Sequence, residues 1–387
     1  MAGSAPVGIA FIGCGYVADM YRACLPAHAG RLRLVGVHDR DPERARAFCE
    51  HWGDTHLADL EALLAHPDVS IVLNLTDPHS HAPVTRAALA AGRHVYSEKP
   101  LGMDRDEAQT LRELAAQAGL LLAAAPCNLL GEHMQTLAHA VRAGLAGPIR
   151  LVYAEIDDGM IHKAPYQNWI SASGKPWPGP HEFEIGCTFE HAGYALGPLI
   201  ALFGPVRRVT AFAALTCPDK DIGEEHGPLA PDFSVGCLEF DHGVVARLTN
   251  SIVAPYDHRM RLIGEAGTLE VAEIWDFQAP VVLRRHPRNR LERFAERRFG
   301  LTPSKRVRPP GASPFQRVRG MPPMDFLRGV RDMADALVDG RPLRMTADLA
   351  VHITEVTQML QYPEDFPRPA QVRSTCAPIL PLEWATP

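Results

Sequence analysis

Residues 7–18 read Val-Gly-Ile-Ala-Phe-Ile-Gly-Cys-Gly-Tyr-Val-Ala, and the change inside them from an apolar run to a glycine turn decides the fold. Val7 to Ile12 has the continuous hydrophobicity of a strand covered on both faces. Behind it, Gly13-Cys14-Gly15-Tyr16-Val17-Ala18 opens a helical pattern. Gly13 permits the tight turn, Gly15 lets the backbone approach a diphosphate with no Cβ in the way, and small Ala18 allows close helix packing. The start of that helix, at Tyr16 and Val17, offers N–H groups and partial positive charge to phosphates.

Outward from this stretch, Leu32 to His38, Ser70 to Leu75, His94 to Tyr96 and Leu120 to Ala125 read as strands separated by helical patterns. Strands joined by helices need crossover connections, which produce a parallel sheet. Asp104 followed by Glu107 has the form of a capping box, and Gly119 sits where a helix C-terminal glycine is expected. The fold class is therefore an α/β Rossmann domain, assigned to residues 1–126. Asp39 ends the second strand about 20 residues beyond Ala18, where a carboxylate accepts hydrogen bonds from adenosine ribose hydroxyls. The combination points to a dinucleotide. Asp39 repels a 2′-phosphate and favours NAD, whereas Arg40 either swings towards such a phosphate or is a solvated charge, so NADP stays open.

The chain has 387 residues, more than one core normally serves, and residues 127–387 are assigned to a second domain. Its hydrophobic fraction of 46% and charged fraction of 22% are those of a globular protein. No apolar run reaches the ~18 residues of a membrane span. Met1-Ala2-Gly3-Ser4-Ala5-Pro6 lacks the features of a secretory signal, and a cytoplasmic location is expected. The eight cysteines form no Cys-x-x-Cys pair, so free thiols and no metal site are expected. Asn74-Leu75-Thr76 matches a glycosylation pattern inside an apolar strand and is discarded. A net charge of -6 gives no reason to expect nucleic acid. One segment departs from it: between Arg284 and Arg319 the Arg and Lys residues face only Glu292 and Glu296, with Pro303, Pro309, Pro310 and Gly311 among them. This reads as a basic, loop-rich insertion, either a solvated excursion or a contact for an anion or a subunit.

Asn74 to Leu101, NLTDPHSHAPVTRAALAAGRHVYSEKPL, resembles the Gfo/Idh/MocA family of glucose-fructose oxidoreductase and inositol dehydrogenase. Gly144 to Leu151, Leu262 to Val271 and Asp339-Gly340-Arg341-Pro342 extend the resemblance over most of the chain. It implies a second, α+β domain with a large, mainly antiparallel open sheet that serves dimerisation, hence a homodimer or homotetramer. It also implies hydride transfer between NAD(P) and a small sugar, cyclitol or sugar-like molecule. Thr76, Pro78 and His81 fall at the cofactor turn. Lys99 of the Glu98-Lys99-Pro100 motif falls beside nicotinamide and substrate, with Pro100, often cis in the family, shaping the turn. Glu98 either orients that ammonium or is a solvated neighbour. An ammonium at this sheet edge polarises a carbonyl or stabilises an alkoxide.

The family's second motif carries Asp and, four residues on, His. Here Glu190 stands at the Asp position and Tyr194 at the His position, in Gly186-Cys187-Thr188-Phe189-Glu190-His191-Ala192-Gly193-Tyr194. Residues i and i+4 share a helix face, so both can enter one pocket with Lys99, whereas His191 lies ~100° round the helix and is assigned to substrate contact rather than catalysis. A lysine ammonium would lower the tyrosine pKa of about 10, and a Tyr194–Lys99 relay is the expectation. Trp169, Trp177 and His181 precede the motif, where aromatics either stack on a sugar or anchor a loop. Asn128 either contacts nicotinamide or substrate, or packs the domain junction. Two other functions share these motifs: a lyase or glycosidase that oxidises transiently with bound NAD, and a dinucleotide-sensing binding protein.

Overall fold

The computed structural model describes residues 5–223, 226–300 and 302–386; Met1–Ser4 of the N-terminal reading and Leu301 of the basic segment lie outside them. Strands β1 (Val7–Ile12), β2 (Leu32–His38), β3 (Ile71–Asn74), β4 (His94–Ser97) and β5 (Leu122–Ala124) form an all-parallel sheet in the order β2-β1-β3-β4-β5. Helices α1 (Tyr16–His28), α2 (Pro42–Trp52), α3 (Leu60–Ala65), α4 (Pro78–Ala90) and α5 (Arg105–Ala118) make the crossovers. Every residue of β3 is buried, which is why these strands read as unbroken apolar runs. Asp104 caps α5 through the Glu107 N–H, and Gly119 ends it in the left-handed region. Glu107 reaches back to Met103 N rather than to the cap residue itself. Because the sheet order turns at β1, its ligand crevice opens between β1 and β3, beyond their carboxyl ends.

The remainder comprises α6 (Glu132–Arg142), β6 (Ile149–Asp157), α7 (Gly179–Ile185), α8 (Cys187–Phe203), β7 (Val206–Ala214), β8 (Phe233–Phe240), β9 (Val245–Ser251), β10 (Met260–Gly264), β11 (Gly267–Val271), β12 (Val281–Arg285), α9 (Arg290–Phe299), β13 (Ser304–Arg306), α10 (Arg328–Asp339), α11 (Ala347–Gln361) and β14 (Ala370–Gln371). Nine strands form an open sheet, β13-β12-β11-β10-β6-β9-β8-β7-β14, antiparallel except for the β6–β9 pair. Along β10 and β11 burial alternates residue by residue, the mark of a sheet with one face on the core and the other to solvent. Helix α8 lies on the buried face.

Two features differ from the linear reading. Within the basic insertion, Asn289 caps and Gly300 terminates a ten-residue helix, α9, and β13 extends the sheet edge, so the segment is not all loop; Pro303, Pro309 and Pro310 follow the helix. Helices α10 and α11 also return to the first sheet: Gly329 of α10 lies against the buried ring of Tyr96 in β4. A Cβ at Gly329 would fall 2.5 Å from the Tyr96 ring and hydroxyl, and Tyr96 is fully buried with nowhere to move. Gly329→Ala should lower the unfolding free energy by about 2 kcal/mol, the scale of overpacking. Urea unfolding reads this as a lower midpoint at unchanged slope; an unchanged midpoint would show that α10 is not seated on β4 this tightly.

Candidate active site

A cleft of about 1010 Å³ runs from the carboxyl ends of β1 to β4 to the inner side of the second sheet. At its first end Gly13 has φ +97°, and a Cβ there would strike the Leu75 carbonyl at 2.6 Å. A Cβ at Gly15 would meet nothing nearer than Leu75 O at 4.0 Å, so the backbone there is open to a ligand. The first turn of α1 has no side-chain cap, leaving main-chain N–H groups of Tyr16 and Val17 for an anion. Asp39 is fixed at the rim, accepting from Cys14 N (2.7 Å) and Asp41 N (2.9 Å), and the exposed Arg40 lines the cleft beside it. This cradle fits the diphosphate and adenosine ribose of a dinucleotide. Ala18 is fully buried and packs α1 on the sheet.

Thr76, Pro78, His81 and Glu98 line the middle. Asp77 caps α4 through Ser80 N. The His81 ring spans Pro100 O (2.7 Å) and Thr76 O (3.1 Å), bracing the two turns that flank the crevice. The Lys99–Pro100 peptide is cis, and Pro100 itself is buried behind the cleft surface. Glu98 is neither solvated nor a direct partner of the ammonium: it accepts from Tyr21 OH (2.6 Å) and Lys99 N (3.1 Å).

Lys99 Nζ donates to Glu190 Oε2 across the cleft, joining the end of β4 to the first turn of α8. Burial disfavours the charge on Lys99, yet Glu190 above all holds the ammonium above its ordinary pKa. Burial likewise opposes the Glu190 carboxylate, but Lys99 and a hydrogen bond from Glu182 keep it below the usual range. Glu182, in the first turn of α7, is pushed well above the ordinary carboxylic-acid range by burial and by Glu190. Tyr194 corrects the expectation of a stabilised phenolate. Burial raises its pKa, Lys99 offsets only part of that, and the ammonium is already matched by Glu190. At neutral pH Tyr194 is a phenol.

Glu190, His191 and Tyr194 all line the cleft, although His191 is off the face shared by the other two. His191 Nδ1 lies 3.1 Å from Asp158 Oδ2, within ion-pair reach but not in an aligned hydrogen bond. Asp158 Oδ1 meets His258 Nε2 (2.9 Å), His258 Nδ1 meets Glu273 Oε1 (3.2 Å), and Tyr256 OH donates to Glu273 Oε2 (2.6 Å). Trp275 stands over the group, its ring 4.2 Å from His258 and 5.0 Å from Tyr194. Asp158, Glu182, Tyr256, His258, Glu273 and Trp275 carry no spacing that singles them out in the sequence.

Two other assigned residues lie elsewhere. Asn128 is fully buried and donates to Tyr194 O (2.6 Å), so it holds α8 from behind and does not line the cleft. Trp169 is exposed and packs edge-on against Trp177 of the same loop outside the cleft, whereas Trp177 and His181 line it. The same loop is tied over the crevice at Ser173, which donates to Asp19 (2.7 Å) and accepts from Arg44 at its carbonyl (2.9 Å).

Residues 7–125 match the NAD-binding Rossmann-fold model of the Gfo/Idh/MocA oxidoreductases, and residues 134–270 match that family's C-terminal domain. The chain belongs to the Gfo/Idh/MocA oxidoreductase family. It is 31% identical to D-glucoside 3-dehydrogenase of Escherichia coli over 64% of this chain and 71% of that enzyme. It is 32% identical to the dTDP-3,4-didehydro-2,6-dideoxy-alpha-D-glucose 3-reductase of Actinomadura kijaniata over 38% of this chain, spanning 45% of the reductase. Among solved structures, a 3-ketoreductase from Actinomadura kijaniata in complex with NADP superposes with a TM-score of 0.68 at 21% identity, covering 92% of this chain and 96% of that one. A dehydrogenase from Bordetella pertussis with NADH and UDP-GlcNAcA gives 0.67 at 18%, over 93% and 96%. These likenesses show the shared fold.

The His258 network makes a pH prediction. Burial alone would lower the imidazole, but Asp158 and Glu273 raise it from 6.5 to about 9. A raised folded-state value contributes stability fully below pH 6.5 that is lost as pH rises through about 9. The contribution is about 3 kcal/mol. Chemical unfolding at pH 6 and pH 10 should therefore show a fall that His258→Gln lacks; equal pH dependence in both proteins would mean the ring is neutral throughout.

Proposed function

We propose that this chain is an NAD(P)-dependent dehydrogenase or reductase that moves a hydride between nicotinamide C4 and a secondary alcohol carbon of a sugar, cyclitol or sugar-like metabolite. The observation that carries the reading is one continuous cleft with the dinucleotide cradle at one end and the Lys99–Glu190 pair at the other. The nicotinamide, when bound, supplies the hydride acceptor or donor. Lys99 directs its ammonium at the reacting oxygen, polarising a ketone or stabilising an alkoxide. Glu190 keeps that ammonium charged and aimed, and accepts from a neighbouring hydroxyl. Tyr194 donates a hydrogen bond as a neutral phenol. Trp177 and Trp275 supply apolar walls for a sugar ring. Sugar substrates named for the relatives support this class.

In this reading Gly13, Gly15, Tyr16 and Val17 hold the diphosphate, and Asp39 takes the ribose hydroxyls, favouring NAD over NADP. Thr76, Pro78, His81 and Glu98 border the nicotinamide. The described helices include none long and apolar enough to cross a membrane. All eight cysteines are free thiols, which supports a cytoplasmic enzyme. The exposed face of the nine-stranded sheet supports association into a homodimer or homotetramer.

The test is NADH and NADPH formation from a panel of free sugars, methyl glycosides and inositols. Product appearing with no net reduced cofactor would favour transient oxidation in an eliminase, and the absence of any turnover would overturn the reading. Asp39→Ala should weaken NAD binding more than NADP binding; an NAD affinity unchanged in the folded variant would remove Asp39 from the ribose. Lys99→Ala should abolish turnover while NADH binding, followed by fluorescence titration, stays within about threefold. A raised KM at constant kcat would make Lys99 a uniform binding residue instead.

A further inference from the structure

Charge is sorted along the cleft. Its arginines lie at the dinucleotide end: Arg40 follows Asp39 just past β2, and Arg44 donates to Cys14 O in the turn between β1 and α1 and to Ser173 O (2.9 Å). Lys175 is two residues from that tie, on a hairpin closed by Ser171 N donating to its carbonyl (2.8 Å). These cations border the place assigned to the cofactor's own phosphates. The reacting end is built the other way. Glu182, Glu190, Glu273 and Asp276 line it, with Asp158 behind. Among the described residues that line this end, Lys99 is the one lysine or arginine, and its ammonium already donates to Glu190. The histidines there also meet acids: His191 lies 3.1 Å from Asp158, and His258, behind the wall, is held by Asp158 and Glu273.

An ionised carboxylate accepts hydrogen bonds and has none to give, so these side chains match the hydrogens of hydroxyl groups and repel the oxygens of a phosphate or a second carboxylate. A substrate anion at this end would lose its water and meet acceptors, while each nearby cation is already engaged by an acid. Between the acids the walls are apolar. Trp177, Tyr256 ahead of β10 and Trp275 between β11 and β12 line the cleft, with Pro322, Pro323 and Met324 beside them. Aromatic faces suit the C–H faces of a sugar ring and offer no counter-charge to an anion.

We propose that the substrate of this cleft is an uncharged polyhydroxylated ring, as a free sugar, simple glycoside or cyclitol, and that the acids of the reacting end exclude sugar nucleotides, sugar phosphates and uronic acids. The proposal rests on the hydride-transfer reading and narrows its substrate. Asp276 is the specificity-determining residue. It lines the cleft on the loop between β11 and β12, where Oδ1 accepts from Gln278 N (2.9 Å) and Oδ2 is left as an acceptor for a hydroxyl. Glu182, Glu190 and Glu273 stand with it, but each of these is engaged with other charged groups of the site, so Asp276 is the acid whose charge can be changed without dismantling the Lys99 or His258 pairs.

The test uses the full-length protein with NAD(P) and matched pairs of substrates: glucose against glucuronate, glucose 6-phosphate and UDP-glucose, and galactose against galacturonate, with methyl glycosides and myo-inositol as further uncharged members. Uncharged members should show the higher kcat/KM by about 10²-fold or more, the scale of like-charge juxtaposition. Asp276→Lys should narrow that gap by about tenfold or more, raising kcat/KM for the anion while lowering it for the parent sugar. Asp276→Asn, which keeps the acceptor for Gln278 N, should narrow it less. An anionic sugar used by the wild type as well as its parent would overturn the proposal. So would glucosamine used in preference to glucose, because the acids would then serve a cation. A gap unmoved in both folded variants would likewise overturn it, since charge at Asp276 would not be the cause. Failure of the wild-type protein to reduce NAD(P) with any member of either set would instead remove the hydride-transfer reading.

Discussion

The ion pair of Lys99 with Glu190 spans the seam between the two sheets, and the position of nearly every other cleft residue follows from it. A lysine at the end of a buried strand cannot remain charged without a partner, and a buried carboxylate in the first turn of a helix is in the same position. Each is tolerable because the other is there. The pair therefore requires α8 to lie at one distance and rotation relative to β4. Two buried amides fix that placement from behind: Asn128 donates to the Tyr194 carbonyl, while Gln361 of α11 donates to Ile185 O and accepts from Phe189 N. Gly186, at φ +96°, turns the chain between α7 and α8 where a Cβ would strike Gln361. Helix α11 comes late in the sequence, so the site depends on a segment far along the chain from α8.

The first sheet was legible because its information is local. Continuous apolar runs mark strands covered on both faces, and Gly13, Gly15 and Asp39 sit within one strand-turn-helix-strand unit. Spacing along α8 also sufficed to bring Glu190 and Tyr194 to one cleft. What was not legible depends on the second sheet's register. Asp158 follows β6, whereas His258 precedes β10 and Glu273 follows β11, and only the β6–β10–β11 pairing brings them together. Nothing in the intervening residues encodes that meeting as a motif. Asn128 illustrates a different limit: a polar residue just past a Rossmann strand has the same pattern whether it faces a ligand or, as here, a helix backbone.

The protonation state of Tyr194 was misread for an electrostatic reason. A sequence places Lys99 near Tyr194 but cannot show that the ammonium is already paired, nor how much solvent the phenol loses. With Glu190 as the first partner of Lys99, the phenolate would be a second anion competing for one cation in a buried site. Proximity to a charge shifts a pKa only by the part of that charge not already matched.

The two ends of the cleft apply this rule in opposite ways. At the start of α1 no side chain caps the helix, so a diphosphate meets main-chain N–H groups left without a side-chain acceptor. At the reacting end the charges are matched before any ligand arrives, Lys99 with Glu190 and His258 with Asp158 and Glu273, while burial holds Tyr194 as a phenol. On the proposed reading, a neutral hydroxyl entering there displaces no ion pair. As the oxygen becomes an alkoxide, Lys99 can share its hydrogen bonds between that oxygen and Glu190. The stabilisation then grows with the charge developed in the reaction, which is the condition for accelerating the step instead of merely tightening substrate binding.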